Sequence, residues 1–114
     1  MNVDHPEFQN AIASIRVSFV ASLEGHLENL ISLSNRIING ELDGVVITKI
    51  SEIAHKIRGV AKTLQFEELG LIADRVEMAL EAIQLNGIET PQVDAVATDI
   101  ADLIVCITEI REDA

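Results

Sequence analysis

Val46 to Leu64 reads VITKISEIAHKIRGVAKTL, and the spacing of its apolar residues decides the fold. Val46, Ile47, Ile50, Ile53, Ala54, Ile57, Ala61 and Leu64 fall on the three-and-four period of one helical face. A strand would need strict alternation, which is absent. On a helical wheel at about 100° per residue, the stripe gathers around Ile50, Ile57 and Ala61. His55 then falls roughly 150° from the stripe's centre and points to solvent. Gly59 follows one turn later on the same outward face, flanked by Arg58 and Lys62.

The helical period continues on both sides. Upstream, Phe8, Ile12, Ile15, Phe19, Leu23, Leu27, Leu30, Ile31, Ile37 and Ile38 repeat it as far as an Asn39-Gly40 stop. Pro6 is placed to open a short extra helix, and Gly25 marks a weak point inside the pattern. Asp43 is a cap for the helix that carries His55. Downstream, Leu69, Ile72, Val76, Ala79, Leu80 and Ile83 lead to Asn86-Gly87. Thr90 then caps a last helix with Pro91 at its first position, and Val93, Val96, Ile100, Leu103, Ile107 and Ile110 form its stripe. Such alternating steps make the seam of an antiparallel bundle. The expected fold is all-α: an up-down antiparallel four-helix bundle over residues 1–114 as a single domain, with room for a short extra N-terminal helix.

Composition excludes several functions. Hydrophobic residues make up 48% of the 114, so the chain can bury a core and disorder is ruled out. With three Phe, no Trp and no Tyr, it offers few aromatic platforms for bases or sugars. A formal net charge of −11 opposes nucleic acid and anionic membranes as partners. Against that background, the segment from Gly44 to Phe66 has Lys49, Lys56, Arg58 and Lys62 and a single acid, Glu52, a net +3. Cys106 is the one cysteine, which leaves no disulfide and no thiolate cluster. Without a secretory signal or a run of about 18 apolar residues, the chain is expected in the cytoplasm.

The outward His55 invites a chemical reading. Glycine inside a helix costs about 1 kcal/mol relative to alanine. At Gly59 one use for it is to clear space beside His55, so that another protein's backbone can approach. A neutral imidazole can attack phosphorus with one nitrogen, and nearby cations can balance the phosphoryl charge. No Gly-rich phosphate loop is present, so the chain would not bind ATP itself. Each feature alone has an ordinary explanation: a surface histidine, a tolerated glycine, a solvated basic face. Glu52-Ile53-Ala54-His55 has the spacing used in di-iron bundles. Such sites need two copies, and neither His5 nor His26 has an acid three residues before it. No metal or cofactor is therefore expected in the chain.

The run Ala54-His55-Lys56-Ile57-Arg58-Gly59-Val60-Ala61-Lys62-Thr63-Leu64 resembles the signature of the histidine phosphotransfer (HPt) family of two-component phosphorelays. That signature has an aliphatic residue two after the histidine, a basic residue three after it, glycine four after it, and small residues beyond. Leu69, Ala73 and Glu77 are similar to the family's next helix, so the resemblance covers about residues 50–81. It implies that His55 is the phosphorylated residue, Arg58 the basic position and Gly59 the clearing, with Lys62 at a variable position. Glu77 matches a polar position that bonds the histidine ring in the chemotaxis-kinase version, where a carboxylate would fix the tautomer. The implied partners are response-regulator receiver domains and a hybrid sensor histidine kinase, with Mg²⁺ on the receiver's aspartates and the chain itself a monomer. One departure stands out: the family usually has glycine ten residues after the histidine, where this chain has Gln65. If the loop there needs a positive φ, Gln65 is strained. Two other readings stay open: a non-catalytic docking bundle, and the phosphotransfer segment of a larger hybrid or chemotaxis-type kinase. The Met1 start and the lack of a linker favour a free-standing protein.

Overall fold

In a computed structural model, residues 6–87 and 90–113 are described. They form α1 (Pro6–Ile38), α2 (Gly44–Thr63), α3 (Glu67–Asn86) and α4 (Thr90–Asp113), with no strand among them. Each helix packs on its neighbours in the order α1, α2, α3, α4 and back to α1, and among the described residues the diagonal pairs make no close backbone approach. Short connections force each helix to run against the one before it, which makes the up-down antiparallel four-helix bundle expected from the sequence.

The stripes become the core. Leu23, Leu30, Ile50, Ile57, Val76, Leu80, Ile100 and Leu103 are fully buried, and no polar or charged side chain is buried among the described residues. α2 follows its predicted face closely: Val46, Ile47, Ile50, Ala54, Ile57, Ala61 and Leu64 are buried and Ile53 is packed against them. α3 and α4 do the same.

α1 departs from the expectation. It is one uninterrupted helix of 33 residues, so Pro6 opens α1 itself, no separate short helix precedes the bundle among the described residues, and Gly25 causes no break. At 1.5 Å per residue that is about 50 Å, matching the molecule's longest extent of 51 Å. Burial in α1 begins only at Phe19; Ile15 is 50% exposed and Phe8 and Ile12 are partly exposed. Ile31 and Ile38, included in the sequence stripe, face solvent, and Leu33 takes the inward place between Leu30 and Ile37. The apolar residues of α1 are wider than one face, so spacing alone did not identify the buried subset.

Local chemistry sets the helix ends. Asp43 is the expected cap of α2 and accepts a hydrogen bond from Val46 N at 2.9 Å. Gly40, at φ +81°, closes α1: its N–H donates to Ile37 O at 3.0 Å, and Glu41 N–H donates to Arg36 O at 2.8 Å. This is the Schellman arrangement, with the left-handed residue just past the helix. α2 ends the same way, but with Gln65 in the glycine position at φ +66°. Gln65 N–H donates to Lys62 O at 3.4 Å and Phe66 N–H to Ala61 O at 2.8 Å. The loop thus does require a positive φ, and Gln65 is the one described non-glycine residue with one. Gly87, at φ +85°, closes α3 with a bond to Ile83 O, as Asn86-Gly87 foretold. The capping roles expected of Thr90 and Pro91 concern side chains outside the described residues.

Candidate functional site

His55 emerges from the middle of α2 with its side chain 69% exposed. Its position follows from the stripe: Ala54 and Ile57 turn inward, so His55 and Lys56 between them are carried outward. Gly59 lies four residues on, exposed, and a Cβ built on it would meet nothing within 4 Å. The surface beside His55 is therefore bare backbone, as the sequence suggested.

α3 is held close to α2 beneath this face. A Cβ on Gly70 would stand 3.8 Å from Ala61 Cβ and 3.9 Å from Lys62 N, so small residues on both helices permit the approach. One and two turns along α3, this closeness presents Asp74 and Glu77 to α2. Glu77 Oε2 lies 3.4 Å from His55 Nδ1. The match between Glu77 and a ring-bonding position thus has a geometric counterpart.

Arg58, one turn after His55, stands beside it. It is turned onto α3 and ties the two helices together. Its Nη1 donates to Asp74 Oδ1 at 3.1 Å, and its Nε stands 3.4 Å from Glu77 Oε1. That Glu77 oxygen is buried and accepts no well-aligned hydrogen bond, so the guanidinium is what balances it. Arg58 Nη2 is also 3.3 Å from His55 Nδ1. One ring nitrogen cannot donate to Glu77 and accept from Arg58 at once. A carboxylate accepts only, and Arg58 already has two acidic partners. With its proton on Nδ1 directed at Glu77, the ring would carry its lone pair on Nε2, at the far side. Both contacts are long, at 3.4 and 3.3 Å.

Asp74 was not singled out from the sequence. It lies three residues before Glu77, hence on the same helical face, and that was the available signal. The remaining cations of the basic island, Lys49, Lys56 and Lys62, form no ion pair among the described residues. Lys62, seven residues after His55, lies on the same side of α2 beyond Gly59.

His26, on α1, differs from His55. It is half-buried, and burial together with nearby Lys56 holds its pKa below the usual histidine value. His5 lies outside the described residues. No group of three or more His, Cys, Asp or Glu that could hold a metal ion occurs among the described residues. No described helix is long and apolar enough to cross a membrane.

Comparison with known proteins agrees with this geometry. Residues 14–113 match the family model described as Hpt domain. Neither the curated proteins nor the solved structures yield a match. Hpt domains are helical bundles that exchange phosphoryl groups with receiver domains and kinases in two-component phosphorelays. The match spans α1 from Ser14 to the end of α4 and includes every residue of the His55 cluster, so the chain belongs to the Hpt domain family and has a histidine phosphotransfer role in two-component signalling.

Proposed function

We propose that His55 accepts a phosphoryl group from the aspartyl phosphate of one receiver domain and passes it to the aspartate of another. The observation that carries this reading is the exposed ring with Nδ1 engaged by Glu77. The Nε2 lone pair attacks phosphorus, an N–P bond forms, and the P–O bond to the receiver's aspartate breaks. The aspartate leaves as a carboxylate. No proton need move, because the ring keeps its Nδ1 proton and becomes cationic, balanced by Glu77. The reverse sequence delivers the group to the second receiver. Phosphoryl transfer depends mainly on alignment and charge stabilisation. Gly59 admits the partner's backbone, Lys62 faces the incoming phosphoryl group, and Arg58 keeps Glu77 in place. Mg²⁺ belongs on the receiver's aspartates, where the leaving and accepting oxygens are. The net charge of −11 opposes self-association, so the chain acts as a monomer, in the cytoplasm with its partners.

The test is incubation with a phosphorylated receiver domain and Mg²⁺. A phosphoramidate should form on the chain, labile in acid and stable in base, and His55→Gln should abolish it. Label that persists in the variant, or maps to His26 or His5, would overturn the assignment.

A further inference from the structure

Three large apolar side chains of α3, Leu71, Met78 and Leu85, are 68%, 62% and 76% exposed. Scattered apolar residues on a surface need no explanation. These three are spaced by seven, and seven residues bring a helix back to within about 20° of the same direction. They therefore form one line down α3, on the side away from the buried Leu69, Val76 and Leu80. The line runs beside the His55 site. Met78 follows Glu77, which meets the His55 ring at 3.4 Å. Leu71 follows Gly70, where a Cβ would stand 3.9 Å from Lys62 N. His55 leans from α2 towards α3, so its open side and this line belong to one face of the bundle.

We propose that Leu71 and Met78 are the apolar seat of the receiver domain that exchanges phosphoryl groups with His55, and that Leu85 lies at its edge. The assignment rests on the reading of His55 as the phosphoryl acceptor, and it says where the partner sits. Transfer needs the reacting atoms about 3–3.5 Å apart, so a receiver must press on the surface around the ring. A specific interface covers about 800 Å² on each side, a disc of about 16 Å radius. Its centre falls near the level of Asp74, because His55 and Lys62 stand opposite Glu77 and Gly70. At 1.5 Å per residue, Leu71 and Met78 are about 5 and 6 Å from that level, and Leu85 about 17 Å. Charge selects the occupant. A second copy would set two net charges of −11 against each other, whereas a receiver's aspartates find Lys62 on this face.

The experiment uses the full chain and the receiver domains of the source organism, unphosphorylated, so that binding is read without transfer. The tightest-binding receiver is titrated by calorimetry into wild type and into Leu71→Ala, Met78→Ala and Leu85→Ala. All three side chains are exposed, so the variants should fold like wild type, which circular dichroism checks. Leu71→Ala and Met78→Ala should each raise Kd about fivefold, and Leu85→Ala less than twofold. Methyl spectra give the contact directly: Leu71 and Met78 signals should shift on adding receiver, and Leu85 signals should stay in place. The proposal falls if no receiver binds, if Leu71→Ala and Met78→Ala bind as wild type does, or if Leu85→Ala loses as much as they do. It also falls if the chain alone sediments as a dimer that Met78→Glu dissolves, because a second copy then covers the line. If a receiver binds through Leu71 and Met78 but its phosphorylated form labels no histidine, the acceptor reading fails and the seat stands.

Discussion

Replacing Gly59 with alanine should make the protein more stable, not less. Gly59 sits in the interior of α2, where glycine is disfavoured by about 1 kcal/mol relative to alanine. An added Cβ meets nothing within 4 Å, so no contact opposes that gain. Unfolding entropy runs at about 2.1 cal/mol/K per residue, or about 240 cal/mol/K here, so the gain corresponds to a rise of about 4 °C in Tm. Thermal unfolding followed by circular dichroism at 222 nm measures it. Gly59→Gln should fold equally well, since glutamine is a good helix former. Its side chain, however, would stand in the clearing and displace a receiver's backbone. A displacement near 1 Å in a reacting pair slows reaction by about tenfold to a hundredfold. The pair of variants separates folding from access. A lower Tm in Gly59→Ala would mean that the surface is not open. Wild-type transfer in Gly59→Gln would mean that no partner needs the clearing.

Gln65→Gly should raise stability by about 1 kcal/mol, because a left-handed residue with a Cβ is strained and glycine is not; chemical denaturation checks it, and a loss would locate a contact made by the glutamine side chain. Lys62→Ala should slow phosphoryl uptake by about two- to fivefold, and Lys49→Ala by less, with the difference shrinking as salt rises. Equal losses would reduce the basic island to a solvated face. Burial first, then Glu68 and Glu109, pushes the Cys106 thiol up to about 11. Alkylation at pH 8 should be slow in the folded protein and rapid in denaturant. Because the unfolded thiol ionises near 9 and the folded one only near 11, stability should fall as pH rises across that interval.

What was legible in the sequence was what depends on neighbours along the chain. The α2 stripe, the Asp43 cap and the glycine stops at Gly40 and Gly87 are local, and each has the expected place. The outward direction of His55 follows from the same stripe. The partners of Arg58 were not legible, because they depend on how far α3 slides along α2. That register is set by packing such as Gly70 against Ala61. The sequence put Arg58 beside the open face of α2; the register put Asp74 within its reach. In α1, Ile15, Ile31 and Ile38 misled for a related reason. That helix is longer than its neighbours and richer in apolar residues than one buried face can take.

A core with no buried polar side chain among the described residues has little means of recognising its own alignment. Aliphatic surfaces fit one another in many ways, and isoleucine, leucine and valine of similar volume exchange at small cost. The information that singles out one arrangement therefore sits at the rim: the Arg58 tie between α2 and α3, the Asp43 cap, and the Phe19–Phe66 pair, with ring centroids 5.6 Å apart and Arg16 over Phe66 at one end of the bundle. Exchanges among aliphatic residues of similar volume should accordingly be tolerated inside, while these few edge positions should vary less than the rest of the surface.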